Sequence, residues 1–211
     1  MPLAYTWYKR LSDVPGIGYS TPSGVDRSRL RRADAKPSLD EFRFEGRSVV
    51  SVTWPGGGSR SPAGEHMDLG GEHSLTALLQ RLSEALELPG TASDYHFAIM
   101  GVYQSLYSRR REQVNALAAV ERLCWLDISL IERCPADPGS DFDLREVGQP
   151  AFTQLMSLYQ REGFLVDAVT VAERAAGFVR PSPNRADGYD PKQHFQDQAA
   201  ELRQRIAAVE H

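Results

Sequence analysis

The sequence contains only two cysteines, Cys124 and Cys134, in a chain of 211 residues. On one helix, ten residues would separate the two thiols by about 15 Å, at about 1.5 Å of rise per residue. A disulfide requires Cα atoms within about 7 Å of each other, so this pair is not expected to form one. The scarcity of cysteine therefore excludes a disulfide framework, and it favours two reduced, buried thiols in a cytoplasmic protein.

Long apolar runs are absent as well. No stretch of the sequence approaches the roughly 18 apolar residues that a membrane span requires. Lys9 and Arg10 lie close to the first residue, but they are not followed by the apolar segment of a signal peptide. We therefore expect no membrane partner and no secretion.

Lysine is scarce too, with three residues against 21 arginines, which is typical of a GC-rich bacterial genome. The formal net charge of -4 gives no general reason to bind nucleic acid, and we do not expect a nucleic-acid partner. Residues 1–60 carry ten basic and six acidic side chains, whereas residues 61–211 carry 14 and 22. A mildly basic first part and an acidic second part can either provide an interaction arm or neutralise each other.

Two regions of different composition predict an α+β protein that is mainly α. Residues 1–72 are rich in glycine, proline and serine, and we interpret them as an N-terminal segment that contains a β-hairpin. Its strands would be residues 42–44 and 48–54, joined by a turn at residues 45–46. An isolated hairpin is marginally stable in water, so it would pack against residues 73–211, which we expect to form a helical domain.

Helical periodicity begins at Ser74, which can cap a helix whose leucines recur at a spacing of three and four residues. Further helices are predicted at about residues 93–108, 112–133, 150–162, 164–179 and 191–209. In the second helix, the side chains expected to point inward are Phe97, Met100, Tyr103, Leu106 and Tyr107. Consecutive helices would then form a short array of antiparallel hairpins.

An internal repeat is the most informative feature of the sequence. Residues 105–122, SLYSRRREQVNALAAVER, align without a gap with residues 157–174, SLYQREGFLVDAVTVAER, and eight of the 18 positions are identical. Such self-similarity indicates one supersecondary unit that is used twice. Each copy would span two helices, with Leu-Tyr near the end of the first helix and Val-x-Ala at the start of the second.

The second copy resembles a tetratricopeptide repeat. Residues 155–163, LMSLYQREG, followed by Ala168 and Ala175, match the Leu, Tyr, Gly and two Ala positions of that family in order. The first copy departs from the pattern at Arg111, where the turn glycine belongs, and the interval is 52 residues instead of about 34. The resemblance implies a helical array with a groove that binds a peptide or protein. The alternative is an ordinary helical domain that contains two similar hairpins.

A groove of this kind predicts a non-catalytic binding or adaptor protein that needs no cofactor. Candidate lining residues are Tyr103, Tyr107 and Tyr159. A predicted exposed loop at residues 135–149 would favour a basic protein or peptide partner through its acidic side chains, Asp137, Asp141, Asp143 and Glu146. One form of this function is an immunity- or antitoxin-like protein that blocks a basic toxin. A polar last helix would cap the array and leave the opposite side for a homodimer contact.

The alternative function is that of a metal-dependent hydrolase or lyase. Residues 65–73 contain His66, Asp68 and His73, and imidazole and carboxylate groups are ligands for zinc and other divalent metals. The sequence has no helical HExxH motif, so these residues are equally compatible with a polar loop at a domain junction. The sequence therefore leaves enzymatic activity open, while it favours the non-catalytic function.

Overall fold

Helices dominate the part of the chain that the structure describes, which confirms the prediction of a mainly α protein. The computed structural model describes residues 38–44, 47–53, 62–67, 74–86, 88, 91–111, 116–133, 135, 143–147, 150–181 and 188–209. The helices are α1 (Pro62–His66), α2 (Leu75–Leu86), α3 (Ala92–Ser108), α4 (Ala116–Arg133), α5 (Leu144–Val147), α6 (Pro150–Glu162), α7 (Leu165–Phe178) and α8 (Pro191–Val209). Among these residues, no helix combines the length and the apolar character that crossing a membrane requires.

Ahead of the helices, the backbone of Ser38–Phe44 and Arg47–Thr53 is assigned to two strands, β1 and β2. The assignment pairs them antiparallel, with Phe42 opposite Val49. The structure describes no side chain of these residues, so it does not support a β-hairpin packed on the helical domain. That element of the fold stays a prediction.

The chain divides into two compact units, Met1–Asp143 and Leu144–His211. In the first unit, α3 packs against α4, and both α1 and α2 pack against α3. In the second unit, α7 packs against both α6 and α8. Each unit thus contains an extensively packed pair of helices that follow each other in the sequence. The predicted boundary after residue 72 is a different division of the chain, and it stays a prediction.

Side-chain caps determine where two of the helices begin. The Ser74 hydroxyl accepts a hydrogen bond from the Ala77 amide at 3.2 Å, which confirms the predicted start of α2. At α3 the cap is Thr91, two residues before the position, about residue 93, at which the sequence predicts that this helix begins. The Thr91 hydroxyl accepts from the Asp94 amide, and the Asp94 carboxylate accepts from the Thr91 amide. This reciprocal capping box satisfies two amides that the first turn of a helix leaves unpaired.

The interior of the first unit includes apolar side chains from both α3 and α4. The fully buried ones are Ile99, Val102, Leu106, Val120, Ile128, Leu130 and Ile131. Phe97 was expected to point inward, but 45% of it is exposed, so that prediction is wrong. Its neighbour His96 is 1% exposed and takes the inward direction instead. Successive residues of a helix point about 100° apart, so both cannot face the same side.

Small side chains allow the helices of the second unit to approach each other closely. Phe152 of α6 and Phe195 of α8 meet edge to face, with ring centroids 6.3 Å apart. The buried alanines of the intervening α7 are Ala168, Ala172, Ala175 and Ala176. The large rings thus fill the space beside a narrow helix face, which keeps the interior closely packed.

Each copy of the internal repeat occupies one helix pair, residues 105–122 on α3 and α4 and residues 157–174 on α6 and α7. Equivalent apolar positions are buried in both copies: Leu106 with Leu158, and Ala116 with Ala168. The helices therefore agree with a two-helix repeat unit. The tetratricopeptide type of that unit stays a prediction.

The turn between α6 and α7 depends on a glycine. Gly163 has a φ of 84°, in the left-handed region, and beside it the Phe164 amide donates to the Tyr159 carbonyl oxygen at 2.9 Å. We expect Gly163→Ala to lower the free energy of unfolding by about 1–2 kcal/mol, because a side chain is strained at this φ. Urea and thermal unfolding would measure the change.

A matched control is Gly177→Ala. A Cβ at either glycine would meet no atom within 4 Å, but Gly177 lies inside α7 with an ordinary helical backbone. Alanine is favoured over glycine in a helix, so this variant should be more stable by about 0.5–1 kcal/mol. Equal effects of the two substitutions would show that backbone conformation is not the reason for glycine at position 163.

Candidate functional site

Four polar side chains meet in the interior of the first unit. His96 and Tyr103 lie seven residues apart, on one face of α3, and Cys124 and Asp127 lie three residues apart, on one face of α4. We call these four residues the polar cluster. All four are buried, with exposed fractions of 1% for His96 and 0% for the other three.

The centre of the polar cluster is a hydrogen bond between an imidazole and a carboxyl group. Nδ1 of His96 lies 2.6 Å from Oδ1 of Asp127, and both side chains are closed to solvent. This bond joins α3 to α4 between residues that are 31 positions apart. Low local dielectric strengthens such a bond, and the same low dielectric makes the loss of either partner costly.

Tyr103 also interacts with Asp127, but this interaction stabilises the carboxylate less than the interaction with His96 does. Neither the Tyr103 hydroxyl nor the second carboxyl oxygen, Oδ2 of Asp127, has a hydrogen bond of regular geometry. The interaction between them is therefore electrostatic more than directional. The carboxyl group of Asp127 is thus satisfied on one oxygen and poorly satisfied on the other.

Burial changes the proton affinity of this cluster. The pKa of Asp127 is raised above its ordinary value by burial, which outweighs the opposing hydrogen bonds and charge of His96 and Tyr103. The pKa of the Cys124 thiol is raised well above its ordinary value, first by burial and then by the carboxylates of Asp127 and Glu121. Burial, Asp127 and Cys124 likewise raise the pKa of Tyr103. Burial therefore shifts all three groups toward their neutral forms.

A protonated, enclosed thiol is a poor nucleophile, because the thiolate is the reactive form. The predicted burial of Cys124 is confirmed. The arrangement therefore joins two helices through a buried hydrogen bond and does not present a reactive thiol.

A second polar group joins α1 to α2. Nε2 of His66 lies 2.8 Å from Oε2 of Glu84, whose side chain is fully buried. Gln80 donates to the other carboxylate oxygen of Glu84 at 3.1 Å, and Arg81 donates to the backbone oxygen of His66 at 2.7 Å. His66 thus contributes to the attachment of a short helix to a longer one.

The metal hypothesis can be compared with this geometry only at His66, because Asp68 and His73 lie outside the described residues. Within the described part of the chain, no three His, Cys, Asp or Glu side chains are grouped so that they could hold a metal ion. The hypothesis that residues 65–73 bind a metal therefore stays a hypothesis.

The predicted partner-binding residues lie in different environments. Tyr103 is fully buried and so is not on a surface that a partner could contact. Tyr107 is partly exposed, with the Arg110 guanidinium 4.3 Å above its ring. Asp143 and Glu146 are also partly exposed, whereas Asp137 and Asp141 lie outside the described residues. Only Tyr103 is therefore excluded as a contact residue, and the partner-binding role of the other residues stays a prediction.

Tyr159 contacts an exposed apolar surface that was not predicted from the sequence. Its ring, 9% exposed as a residue, meets the ring of Phe164 edge to face with centroids 6.3 Å apart. Phe164 is 56% exposed, and Val166 at the start of α7 is 66% exposed. We call Phe164 and Val166 the turn pair. A signal was present in the sequence, since three apolar residues, Phe164, Leu165 and Val166, directly follow the turn glycine.

The pairing of His96 with Asp127 was not predicted from the sequence either. One signal was available: Asp127 is the only charged residue in the apolar run from Leu123 to Ile131. A charged side chain in such a run is rarely buried without a partner. The partner itself was not evident, because it lies on another helix.

Comparisons with known proteins give no match to this chain. No protein-family model, no curated protein and no solved structure is significantly similar to it. Its function therefore has to be argued from its own residues.

Reaction with a thiol reagent would test the burial of Cys124. In a Cys134→Ser background, we expect Cys124 to react at pH 8 on the order of 100-fold more slowly in native protein than in denatured protein. This ratio corresponds to a local opening of about 3 kcal/mol. The released chromophore of a disulfide reagent measures both rates. Similar rates in the two states would show that the thiol is accessible in the native protein.

Substitution of His66 separates a structural role from metal binding. We expect His66→Ala to lower the free energy of unfolding by about 1–3 kcal/mol, because buried Glu84 loses its imidazole partner. His66→Gln is the control, since its amide can still donate to Glu84. Elemental analysis of the wild type and His66→Ala should accompany the unfolding curves. Stoichiometric metal that is lost from His66→Ala would instead support the metal hypothesis.

Proposed function

We propose that this chain is a non-catalytic protein-binding protein of the adaptor type, and that it binds its partner through the turn pair. The observation that carries the proposal is the exposure of Phe164 and Val166, 56% and 66%, next to each other at one helix turn. Large apolar side chains that are exposed together mark binding surfaces more often than single ones do. Aromatic residues also dominate the energetics of protein interfaces.

The geometry of the turn favours a preformed binding surface. The Phe164 amide donates to the Tyr159 carbonyl oxygen, and the Ala168 amide donates to the Phe164 carbonyl oxygen at 3.0 Å. The edge-to-face contact with Tyr159 restricts the Phe164 ring further. A side chain that is already ordered loses less conformational entropy on binding, so it contributes more to affinity.

The polar cluster supports the non-catalytic part of the proposal. Its histidine, cysteine and aspartate are residue types that many enzymes use, but here they are buried within a helix pair. Their packing between two helices explains why these residue types are present, and no substrate is needed for that explanation. The resemblance of the second repeat copy to tetratricopeptide repeats, which form binding surfaces, is compatible with the same function.

The charge of the partner is a further part of the proposal. The predicted loop at residues 135–149 is acidic, and its described members Asp143 and Glu146 are partly exposed. Acidic side chains on a protein surface accelerate association with a basic protein and disfavour an acidic one. An immunity- or antitoxin-like protein is the narrower form, in which the basic partner is a toxin.

Affinity capture with a matched pair of variants tests the proposal. Tagged wild type, Phe164→Ser/Val166→Ser and Tyr189→Ser would each be used to capture proteins from a native lysate, with quantitative mass spectrometry. We expect at least one protein whose retention falls about tenfold or more with the turn-pair variant, the size of effect typical of an interface hot spot. Exposed positions tolerate substitution, so the stability of each variant should change by less than about 0.5 kcal/mol.

Tyr189→Ser is the control because Tyr189 is another exposed aromatic residue of the second unit, 37% exposed. Retention that is unchanged in this control but lost in the turn-pair variant would support a specific surface. A protein set that is the same for all three chains would exclude the turn pair as the binding surface. Capture of no protein above the background would count against the adaptor function itself.

A further inference from the structure

The polar cluster is not required by the architecture of a helix pair. The 52-residue offset of the repeat, continued beyond the matched stretch, places Leu155, Ala176 and Val179 opposite Tyr103, Cys124 and Asp127. All three of these residues of the second unit are buried and apolar. A helix pair of the same kind can therefore be built with apolar residues at these three positions, which suggests a separate use for the polar residues of the first unit.

We propose that the hydrogen bond between His96 and Asp127 makes the α3–α4 helix pair responsive to pH. The pair is tight when the imidazole and the carboxyl group share one proton, and it loosens as rising pH removes that proton. This inference concerns the first unit and is independent of the turn pair in the second unit.

The geometry explains why the shared proton matters. With one proton, the two groups form either a neutral pair or an ion pair, and the 2.6 Å contact satisfies both. Removal of the proton leaves one negative charge in an apolar interior. Oδ2 of Asp127 has no hydrogen bond of regular geometry, and the interactions with His96 and Tyr103 do not offset the burial of this charge. An uncompensated buried charge is strongly destabilising.

The direction of the pH dependence follows from the unfolded chain. In the unfolded chain, an aspartate carboxyl group loses its proton near pH 3.8 and an imidazole loses its proton at about pH 6.5. Above about pH 6.5, the two groups of the unfolded chain therefore hold no proton. The folded pair must keep its proton or bury a charge, so stability falls as pH rises further. The raised pKa of Asp127 has the same sign, because it shows that the folded state favours the protonated carboxyl group.

The groups that act on this pair come from both helices. Tyr103 of α3 interacts with Asp127, and Cys124 of α4 is influenced by Asp127 and by Glu121. The helices α1 and α2 also pack against α3. Their buried charged residue Glu84 is paired with His66, and Arg81 donates to the backbone of His66. The His66–Glu84 pair is therefore the second candidate for a pH effect in this unit, and the experiment has to separate the two.

Hydrogen exchange of the full chain at pH 6, 7 and 8 tests the proposal. After correction for the intrinsic exchange rate, we expect the protection of α3 and α4 amides to fall by up to about tenfold per pH unit above pH 6.5, the effect of one released proton. Amides of α6 and α7 in the same molecule serve as the internal reference and should keep constant protection. Constant protection of α3 and α4 in the wild type would overturn the proposal without any variant.

Two substitutions assign the effect to a pair. Asp127→Asn keeps an oxygen that accepts from the imidazole but cannot ionise, so the pH dependence of α3 and α4 should disappear. His66→Gln removes the imidazole of the other buried pair and should leave that dependence unchanged. If the pH dependence of protection persists in Asp127→Asn, or disappears in His66→Gln, it arises from His66 and Glu84. Either result would overturn the proposal.

Discussion

The contact between His96 and Asp127 is the constraint on which the packing of the first unit depends. Both groups are closed to solvent, so each has to find its partner on the facing helix at 2.6 Å. A shift of α4 by one residue would rotate Asp127 away and leave two polar groups buried without a partner. Apolar contacts between the same helices are less selective, because one branched side chain can replace another at modest cost. The polar pair therefore specifies one relative position of α3 and α4.

The second unit contains the same kind of helix pair, but different side chains fill its interior. Its interior combines buried alanines with the rings of Phe152 and Phe195. Val179 takes the place that Asp127 has in the first unit. At the described positions that correspond to Tyr103, Cys124 and Asp127, its side chains are apolar and carry no titrating proton. The internal repeat thus conserves the helix pair while its two interiors differ in chemistry.

The two units also differ in what they expose. In the first unit the polar cluster is directed inward, where burial raises the pKa of the Cys124 thiol and of the Asp127 carboxyl group. In the second unit, the side chains of Phe164 and Val166 are exposed to solvent beside an ordered turn. Binding through one unit and a response to pH in the other are compatible within a single chain, because they use different residues.

The sequence by itself determined the local features. The spacing of leucines, the caps and the turn glycine predicted the main helices, because those signals act between residues only a few positions apart. The internal repeat likewise indicated two similar helix pairs. Asp127 was visible as a single charge in an apolar run. Only the tertiary structure decided that its partner is His96, that Tyr103 lies inside and that Phe97 lies outside. Those outcomes depend on which face of one helix meets another, and neither residue type nor spacing along the chain encodes that meeting directly.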